Sequence, residues 1–260
     1  MPNEPPKVLA LIPAYNASRT IREVLSQIPC PPVDEIAVLD DGSSDNTTEI
    51  VSSIPRTIPL RHLENKGYGG AQKTLHRFAL EHPASVSVIL HSDGGHFPSE
   101  IPQVIRPVQQ GTADVVVGSR VMGIYKNARP FLGSRLLGAA LWGPMPGYKF
   151  VANRMLSTIQ NLLLGMNFTD FHSGFRAISK EALKKVPFEQ IGNWYLFDTE
   201  FIVSCHRTGL KIVEVPAGTN YNPKAGSKVP SIRYGFAILH YAFHDWLRRW
   251  FHRPSKKTSI

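Results

Sequence analysis

The chain has 260 residues, of which 42% are hydrophobic and 19% charged, enough apolar mass for a large core and too little charge for a disordered tail or a fibrous repeat. Lys plus Arg number 29 and Asp plus Glu 20, a net charge of +9. Six acids fall between Asp34 and Glu49, whereas Arg248, Arg249, Arg253, Lys256 and Lys257 follow Asp245 with no further acid. Acids gathered near the start argue against a nucleic-acid binder that relies on phosphate attraction, and the basic end suits an anionic membrane surface.

Cys30 and Cys205 show no metal-ligand spacing and predict reduced thiols. The opening MPNEPPKVLALIPAYN lacks the charged start and apolar run of a secretory signal, and no stretch reaches the ~18 apolar residues that span a bilayer. The expectation is a cytoplasmic protein, soluble or peripheral at the cytosolic face of a membrane.

In chain order, Val8 to Ile12 reads as a buried strand closed by Pro13, and Ser18 to Ile28 as a helix with Ile21, Val24, Leu25 and Ile28 on one face. Glu35 to Leu39 is a second strand ending at Asp40-Asp41-Gly42. A helix capped by Ser44 or Asp45 follows, then a short strand over Leu60 to Leu63 and a helix over Gly70 to Glu81. Val86 to Leu90 is the most continuous strand signal, and the alternation persists through Pro102 to Gln110 and Val115 to Val117. This pattern predicts an open α/β sheet whose ligands bind beyond the carboxyl ends of the strands. The polar clusters Asn16, Asp40-Asp41, Asn65-Lys66 and His91-Ser92-Asp93 each follow a strand, so four segments should converge on one sheet edge.

From Phe131 to Val151 the sequence turns to Gly, Pro and large apolar residues, which suits either a buried loop and helix or an exposed apolar surface for a lipid-like acceptor. Ile232 to Phe251, with Phe236, Leu239, Phe243, Trp246, Leu247 and Trp250, suits an interfacial amphipathic helix; packing on the domain or on a second copy in a homodimer is the alternative. Residues 1–230 are thus expected to form the main domain, and 231–260 a basic aromatic helix and tail.

Two adjacent carboxylates in LDDGSSDNT (Leu39 to Thr47) can accept hydrogen bonds from a nucleobase imide or ribose hydroxyls, while helix capping is the plainer use of such a loop. His91 and Asp93 stand at alternate positions and could hold a divalent ion against a diphosphate, or merely form a capping turn.

IPAYN (Ile12 to Asn16), LDDGSSDNT, NKGYGGA (Asn65 to Ala71), SDGG (Ser92 to Gly95), GSR (Gly118 to Arg120) and HSGFRA (His172 to Ala177) occur in the order seen in family 2 glycosyltransferases, and the chain resembles their dolichyl-phosphate or polyprenyl-phosphate hexosyltransferase branch over roughly residues 7 to 230. The resemblance implies the GT-A fold: an open, mostly parallel α/β sheet flanked by helices with a Rossmann-like nucleotide-binding half, here carrying a C-terminal amphipathic extension. It also implies a nucleotide-diphospho-sugar donor of the GDP-mannose or UDP-glucose type, a divalent cation (Mn²⁺ or Mg²⁺) and inverting transfer to a lipid phosphate or a glycan acceptor.

By that resemblance Pro13, Ala14, Tyr15 and Asp41 surround the base and ribose, with Lys66 and Gly70 nearby and Ser92 and Asp93 completing the donor set. Asp93 matches the last acid of the family's Asp-x-Asp element; His91 stands where the first acid belongs and Gly95 where Gln is usual, so the metal ligands become Asp93 and His91. Arg120, Ser173 and Arg176 are expected at phosphate oxygens, the guanidinium groups offering bidentate contact or else a structural salt bridge. Lys224, Ser227 and Lys228, in NYNPKAGSK, match a late basic loop that closes over donor diphosphate and acceptor phosphate. In FDTEF (Phe197 to Phe201), Asp198 and Glu200 cannot both face one substrate from a helix, and Asp198 is favoured as the functional carboxylate; Asp93, Asp198, Arg120 and Arg176 form the expected catalytic group. A hydroxyl acceptor would need a carboxylate base, whereas an anionic lipid phosphate would not. A nucleotide-sugar-binding module without catalysis is the reading from a different class. The first strand is not followed by the G-x-G-x-x-G of a dinucleotide-binding dehydrogenase.

Overall fold

The computed structural model describes residues 7–127, 145–220 and 231–251. Among the described residues seven strands form one sheet in the order β3-β2-β1-β4-β6-β5-β7. β1 (Val8–Ala14), β2 (Glu35–Asp40), β3 (Thr57–Arg61) and β4 (Val86–Ile89) run parallel, and β7 (Ile212–Pro216) runs parallel to β5 (Val115–Ser119). β6 (Arg176–Ser179) lies antiparallel between β4 and β5. The flanking helices are α1 (Ile21–Ser26), α2 (Thr47–Ser52), α3 (Gly67–Glu81), α4 (Ile101–Gln109), α5 (Arg120–Asn127), α6 (Gly147–Leu164), α7 (Lys180–Lys185), α8 (Phe197–Arg207) and α9 (Ser231–Phe251).

The pleat of β1 divides its side chains between two cores. Leu9 and Leu11 pack with Leu75 of α3 and with Phe197 and Phe201 of α8, while Val8, Ala10 and Ile12 pack with Val24 and Leu25 of α1 and with Val104 and Ile105 of α4. A strand covered on both faces reads as an unbroken apolar run, the signal visible in the sequence. Each such buried Leu, Ile or Phe contributes about 1.5–3 kcal/mol relative to exposure. The chain lays β2 and β3 to one side of β1 and returns to place β4 on the other. The order therefore reverses between β1 and β4, and the crevice beyond their carboxyl ends is the ligand position of open α/β sheets.

The departures from the sequence reading have local causes. The third strand covers Thr57–Arg61 rather than 60–63, with Pro59 tolerated because β3 is the sheet edge. α3 begins three residues early, at Gly67. Gly is a poor helix former, but a Cβ on Gly69 would lie 2.4 Å from the Gly192 carbonyl oxygen, so only glycine lets the first turn of α3 rest on the 192–193 backbone. The second helix starts after Asn46, and Asp45 binds the Thr47 amide and hydroxyl from outside it.

The amphipathic C-terminal helix forms, and it packs against α6 on the side carrying Ile238 and Ala242, both fully buried. Asp245 on the same side pairs with Arg207 of α8 and with Arg249. Phe236, Phe243 and Trp250 stand on a second face and remain exposed. Of the 131–151 stretch, residues 131–144 lie outside the described residues; Met145 and Phe150 are buried, and Tyr148 and Val151 are exposed. No helix among the described residues is long and apolar enough to cross a membrane.

Candidate active site

The four polar loops meet beyond β1, β2, β3 and β4, and side chains lace them together. Asn16, in the left-handed region at φ 46°, accepts the Ser44 amide through Oδ1 at 2.9 Å while its own amide donates to Ser43 Oγ at 2.8 Å. The Ala17 amide donates to Thr47 Oγ1 and the Ser18 amide to Asp45 Oδ2. Burial opposes ionisation of Asp45, but hydrogen bonds from Thr47 and Ser18 prevail and hold its pKa down to about 2. Thr20 Oγ1 donates to the Ser92 carbonyl at 2.7 Å and ties the β1 loop to the β4 loop across the crevice. Most of LDDGSSDNT is thus committed to architecture: Asp40 accepts the Ser43 amide and the Thr48 hydroxyl.

Asp41 has a different position. Its Oδ1 receives the Lys66 amide at 2.9 Å and lies 2.6 Å from His62 Nδ1, whose Nε2 meets Thr74 Oγ1 at 3.0 Å. Its Oδ2 takes no part in these bonds. Tyr15 and Lys66 are exposed at the rim, and Ser92 is half-buried. Pro13 and Ala14, expected around the base, are buried as the last residues of β1 and shape the strand end through backbone, the Ala14 carbonyl accepting the Asp41 amide at 2.8 Å. Gly70 is buried inside the first turn of α3, with Lys66 Cβ 2.8 Å from where its own Cβ would stand, so it serves close packing.

A second network joins β4, α3, α8 and β6. Tyr68 Oη lies 2.9 Å from His91 Nε2, 3.0 Å from both oxygens of Asp198 and 2.7 Å from Gln72 Nε2. Burial and the Asp198 charge push the Tyr68 phenol well above its usual pKa, so it is neutral. Asp198 is paired with Arg176 (Nη2 to Oδ1 2.5 Å), whose guanidinium also lies 5.0 Å from the Phe201 ring. Arg176 has no exposed surface. The phosphate contact expected of it is therefore corrected: its charge is spent on Asp198. Glu200 faces elsewhere, accepting the Gly192 amide at 3.1 Å.

Arg120 opens α5 and grips Asp170 with both arms of its fork, at 2.7 Å and 2.9 Å, with its side chain 19% exposed. Burial of Asp170 favours the acid, but the charge and hydrogen bonds of Arg120 outweigh it and hold the carboxyl well below its usual range. Glu214 of β7 in turn accepts the Thr169 and Asp170 amides at 2.8 Å and 3.0 Å. Ser173, expected at phosphate, is buried and donates to the Gly118 carbonyl at 2.5 Å. The sequence pattern alone does not single out His62, Tyr68 or Asp170, although His62 directly follows β3 and a polar residue at a parallel strand's carboxyl end is a signal for it.

Asp93 is exposed, with Oδ1 accepting the Gly95 amide at 2.8 Å. The loops around its carboxyl partly desolvate it, which works to raise its pKa, and His91, the Gly95 amide and His96 together bring it below the ordinary carboxylate value. Among the described residues no three His, Cys, Asp or Glu side chains gather as a metal cage. An ionised carboxylate beside one imidazole fits a cation that takes its other ligands from diphosphate oxygens and water. Lys224, Ser227 and Lys228 lie outside the described residues. The chain reaches that segment at Asn220, whose amide donates to the Gly95 carbonyl at 3.0 Å, and emerges from it near Trp194, over which Arg233 lies at 5.4 Å, and beside His172, 5.8 Å from Tyr234.

Residues 10–187 match the family described as glycosyl transferase family 2. The chain is 32% identical over 249 residues to a UDP-N-acetylglucosamine–dolichyl-phosphate N-acetylglucosaminyltransferase of Methanococcus voltae, covering 90% of this chain and 93% of that one. It is 27% identical over 258 residues to an undecaprenyl-phosphate mannosyltransferase of Micrococcus luteus, covering 94% and 96%. Glucosyl-3-phosphoglycerate synthase of Mycobacterium tuberculosis, solved with Mn²⁺, UDP and glucosyl-3-phosphoglycerate, shares the fold at a TM-score of 0.63 and 20% identity, covering 96% of this chain and 82% of that one. With a mostly parallel sheet, a ligand crevice at its point of reversal and the family match across both, the chain belongs to glycosyl transferase family 2 and is a glycosyltransferase of the GT-A fold.

Proposed function

We propose that the protein transfers a hexose, with inversion, from a nucleoside-diphosphate sugar to a polyprenyl or dolichyl phosphate at a membrane surface. The observation that carries this choice of acceptor is the state of the site's carboxylates. Asp41 is engaged by His62 and Lys66, Asp170 by Arg120, and Asp198 by Arg176 and Tyr68; of these and Asp93, only Asp93 is exposed. A hydroxyl acceptor needs a base to take its proton as the new bond forms, whereas a phosphate monoester arrives ionised and attacks unaided. The two curated relatives named above act on lipid phosphates by their names.

On this reading Asp41 Oδ2 and the exposed ring of Tyr15 hold the nucleoside, and the diphosphate lies across the β1–β4 crevice. A divalent cation, held by Asp93 with His91, would neutralise the charge that grows on the departing nucleoside diphosphate. Arg120, held in place by Asp170 and part-exposed, would offer guanidinium N–H groups to a phosphate at the same edge, and Lys224, Ser227 and Lys228 would supply phosphate contacts from the segment that follows Asn220. The exposed Phe236, Phe243 and Trp250 of α9, with Tyr148, Val151 and Met155 of the adjoining α6, form the membrane-facing surface.

The test is transfer of radiolabelled sugar from GDP-mannose, UDP-glucose or UDP-N-acetylglucosamine, with Mn²⁺ or Mg²⁺, to undecaprenyl or dolichyl phosphate. The expected result is label in the organic phase with one nucleotide class. Label that stays water-soluble on a glycan or small hydroxyl acceptor would overturn the lipid-phosphate assignment.

A further inference from the structure

The Tyr68 hydroxyl carries one proton and two lone pairs, and it has three kinds of neighbour. Asp198, ion-paired with Arg176, is a carboxylate and only accepts, so the phenol's proton belongs to it. Gln72 Nε2 donates into one lone pair. His91 Nε2, at 2.9 Å, must donate into the other, because no proton remains on Tyr68 to offer it. Turning the Gln72 amide over would bring a further acceptor to the phenol and leave this requirement on His91 unchanged.

We infer that Tyr68 is a positioning residue that fixes His91 in the Nε2–H tautomer, so that Nδ1 is the nitrogen presented, together with Asp93, to a divalent cation. The backbone supports the same orientation. A Cβ on Gly174 would fall 2.0 Å from His91 Nε2 and 2.4 Å from Cε1, so the Nε2 edge of the ring is seated against the 174 backbone, and only glycine admits it there. No hydrogen bond among the described residues engages Nδ1. The hydrogen bond to the far ring nitrogen is what selects which nitrogen of a histidine ligates and how the ring is aimed. Here that partner is itself held by a buried ion pair, which connects β4 to β6 and α8. A neutral nitrogen in place of an acid leaves Asp93 as the one anionic protein ligand, a set that favours Mn²⁺ over the oxygen-preferring Mg²⁺.

This inference rests on the metal-site reading above, but its first measurement does not need a metal or turnover. In the full-length metal-free protein labelled with ¹⁵N-histidine, long-range ¹H–¹⁵N correlation spectra at pH 8 distinguish the two tautomers, with His91→Gln assigning the signal. The expected pattern is a protonated Nε2 and an unprotonated Nδ1, replaced in Tyr68→Phe by a mixture or by Nδ1–H. The second measurement is Mn²⁺ and Mg²⁺ binding in the presence of UDP or GDP. Tyr68→Phe should weaken Mn²⁺ about tenfold and Mg²⁺ much less. An Nδ1–H ring in the wild type overturns the inference even if Tyr68→Phe cannot be folded, and so does unchanged Mn²⁺ affinity in a folded Tyr68→Phe. Absence of sugar transfer by a wild type that shows the Nε2–H tautomer and binds Mn²⁺ counts instead against the transferase assignment of acceptor and donor.

Discussion

Arg176 Nη2 lies 2.5 Å from Asp198 Oδ1, and both side chains are almost wholly out of water. The strand residue Arg176 thereby holds a carboxylate on α8 at a fixed point beneath the crevice, and Tyr68 passes that order on to His91. Taking one charge away leaves the other buried and unpaired, which costs about 3–5 kcal/mol, whereas replacing both by apolar groups can be close to neutral. Arg176→Met is therefore expected to lose stability on that scale in urea unfolding. Asp198→Asn keeps an acceptor for Tyr68 but strands the buried Arg176 charge, which cannot be relieved by loss of a proton, and should lose stability on the same scale. Equal small losses in both would show that the pair is not the anchor described.

The loops after four strands were legible because parallel strands buried on both faces are unbroken apolar runs and their polar successors must lie at one edge. Partner choice was not legible. Arg176 and Ser173 share a motif with phosphate-binding residues of a familiar pattern, yet one is matched by an acid on α8 and the other by the Gly118 carbonyl of β5, contacts set by packing between distant segments. β6 and β7 also escaped notice, since four- and five-residue strands within a helical context carry little periodic signal. Pro59 hid the start of β3 because its penalty vanishes at a sheet edge.

Replacing Asp93 by Asn removes the exposed negative charge that would hold a cation while preserving the acceptor oxygen for the Gly95 amide. The fold should be kept, with a melting temperature close to wild type, and kcat should fall by about 10²–10³, the scale for losing one charge-stabilising element. Turnover near the wild-type level would remove Asp93 from the reaction.

His62 orients Asp41 from beneath the nucleoside site through the 2.6 Å contact to Oδ1. His62→Leu deprives the carboxylate of a charged-group hydrogen bond worth about 1.5–3 kcal/mol, which corresponds to about 10–100-fold weaker binding of UDP or GDP if Asp41 is what reads the ribose or base. His62→Gln restores a donor of similar reach and should recover much of the affinity. Titration calorimetry separates the two, and wild-type affinity in the Leu variant would sever His62 from donor recognition.

His76 is buried among Phe188, Phe197 and Phe201 with neither ring nitrogen hydrogen-bonded, and burial, then the nearby Arg176 charge, lower its pKa to about 3. The unfolded chain binds a proton at this residue below about pH 6.5, and the native ring does so only near its own lowered pKa. Its contribution to stability is therefore lost as pH falls below about 6.5, at up to about 1.4 kcal/mol per pH unit, levelling off once the folded ring also titrates. His172, held down to about 4 by burial, acts with the same sign. His76→Leu should raise stability by about 1 kcal/mol at neutral pH by removing unsatisfied polar atoms, and should flatten the acid limb of stability against pH. An acid limb as steep as wild type would place the titrating group elsewhere.

Membrane attachment through α9 cannot be tested cleanly by cutting the helix away, because Ile238 and Ala242 belong to the packing against α6 and Asp245 anchors Arg207. The informative change leaves that side intact and alters the exposed one. Phe236, Phe243 and Trp250 recur every seven residues, and Trp246 between the last two stacks on Phe243 at 5.8 Å and lies tilted against Trp250 at 5.7 Å, forming an aromatic ridge directed away from the domain. Moving three aromatic side chains from water into the acyl boundary is worth about 1.5–3 kcal/mol each at full burial, so even partial insertion should make Phe236→Ser/Phe243→Ser/Trp250→Ser at least about 100-fold weaker on vesicles. Co-sedimentation with liposomes containing anionic lipid, compared with neutral liposomes, separates this apolar contribution from the pull of the basic residues around it, which salt should screen. If the triple variant sediments with anionic vesicles as wild type does and releases at the same salt, the attachment is electrostatic and the ridge serves another surface. If it stays in the supernatant while transferring sugar to a detergent-solubilised lipid phosphate at the wild-type rate, the ridge acts in bringing the enzyme to its acceptor and not in the transfer itself.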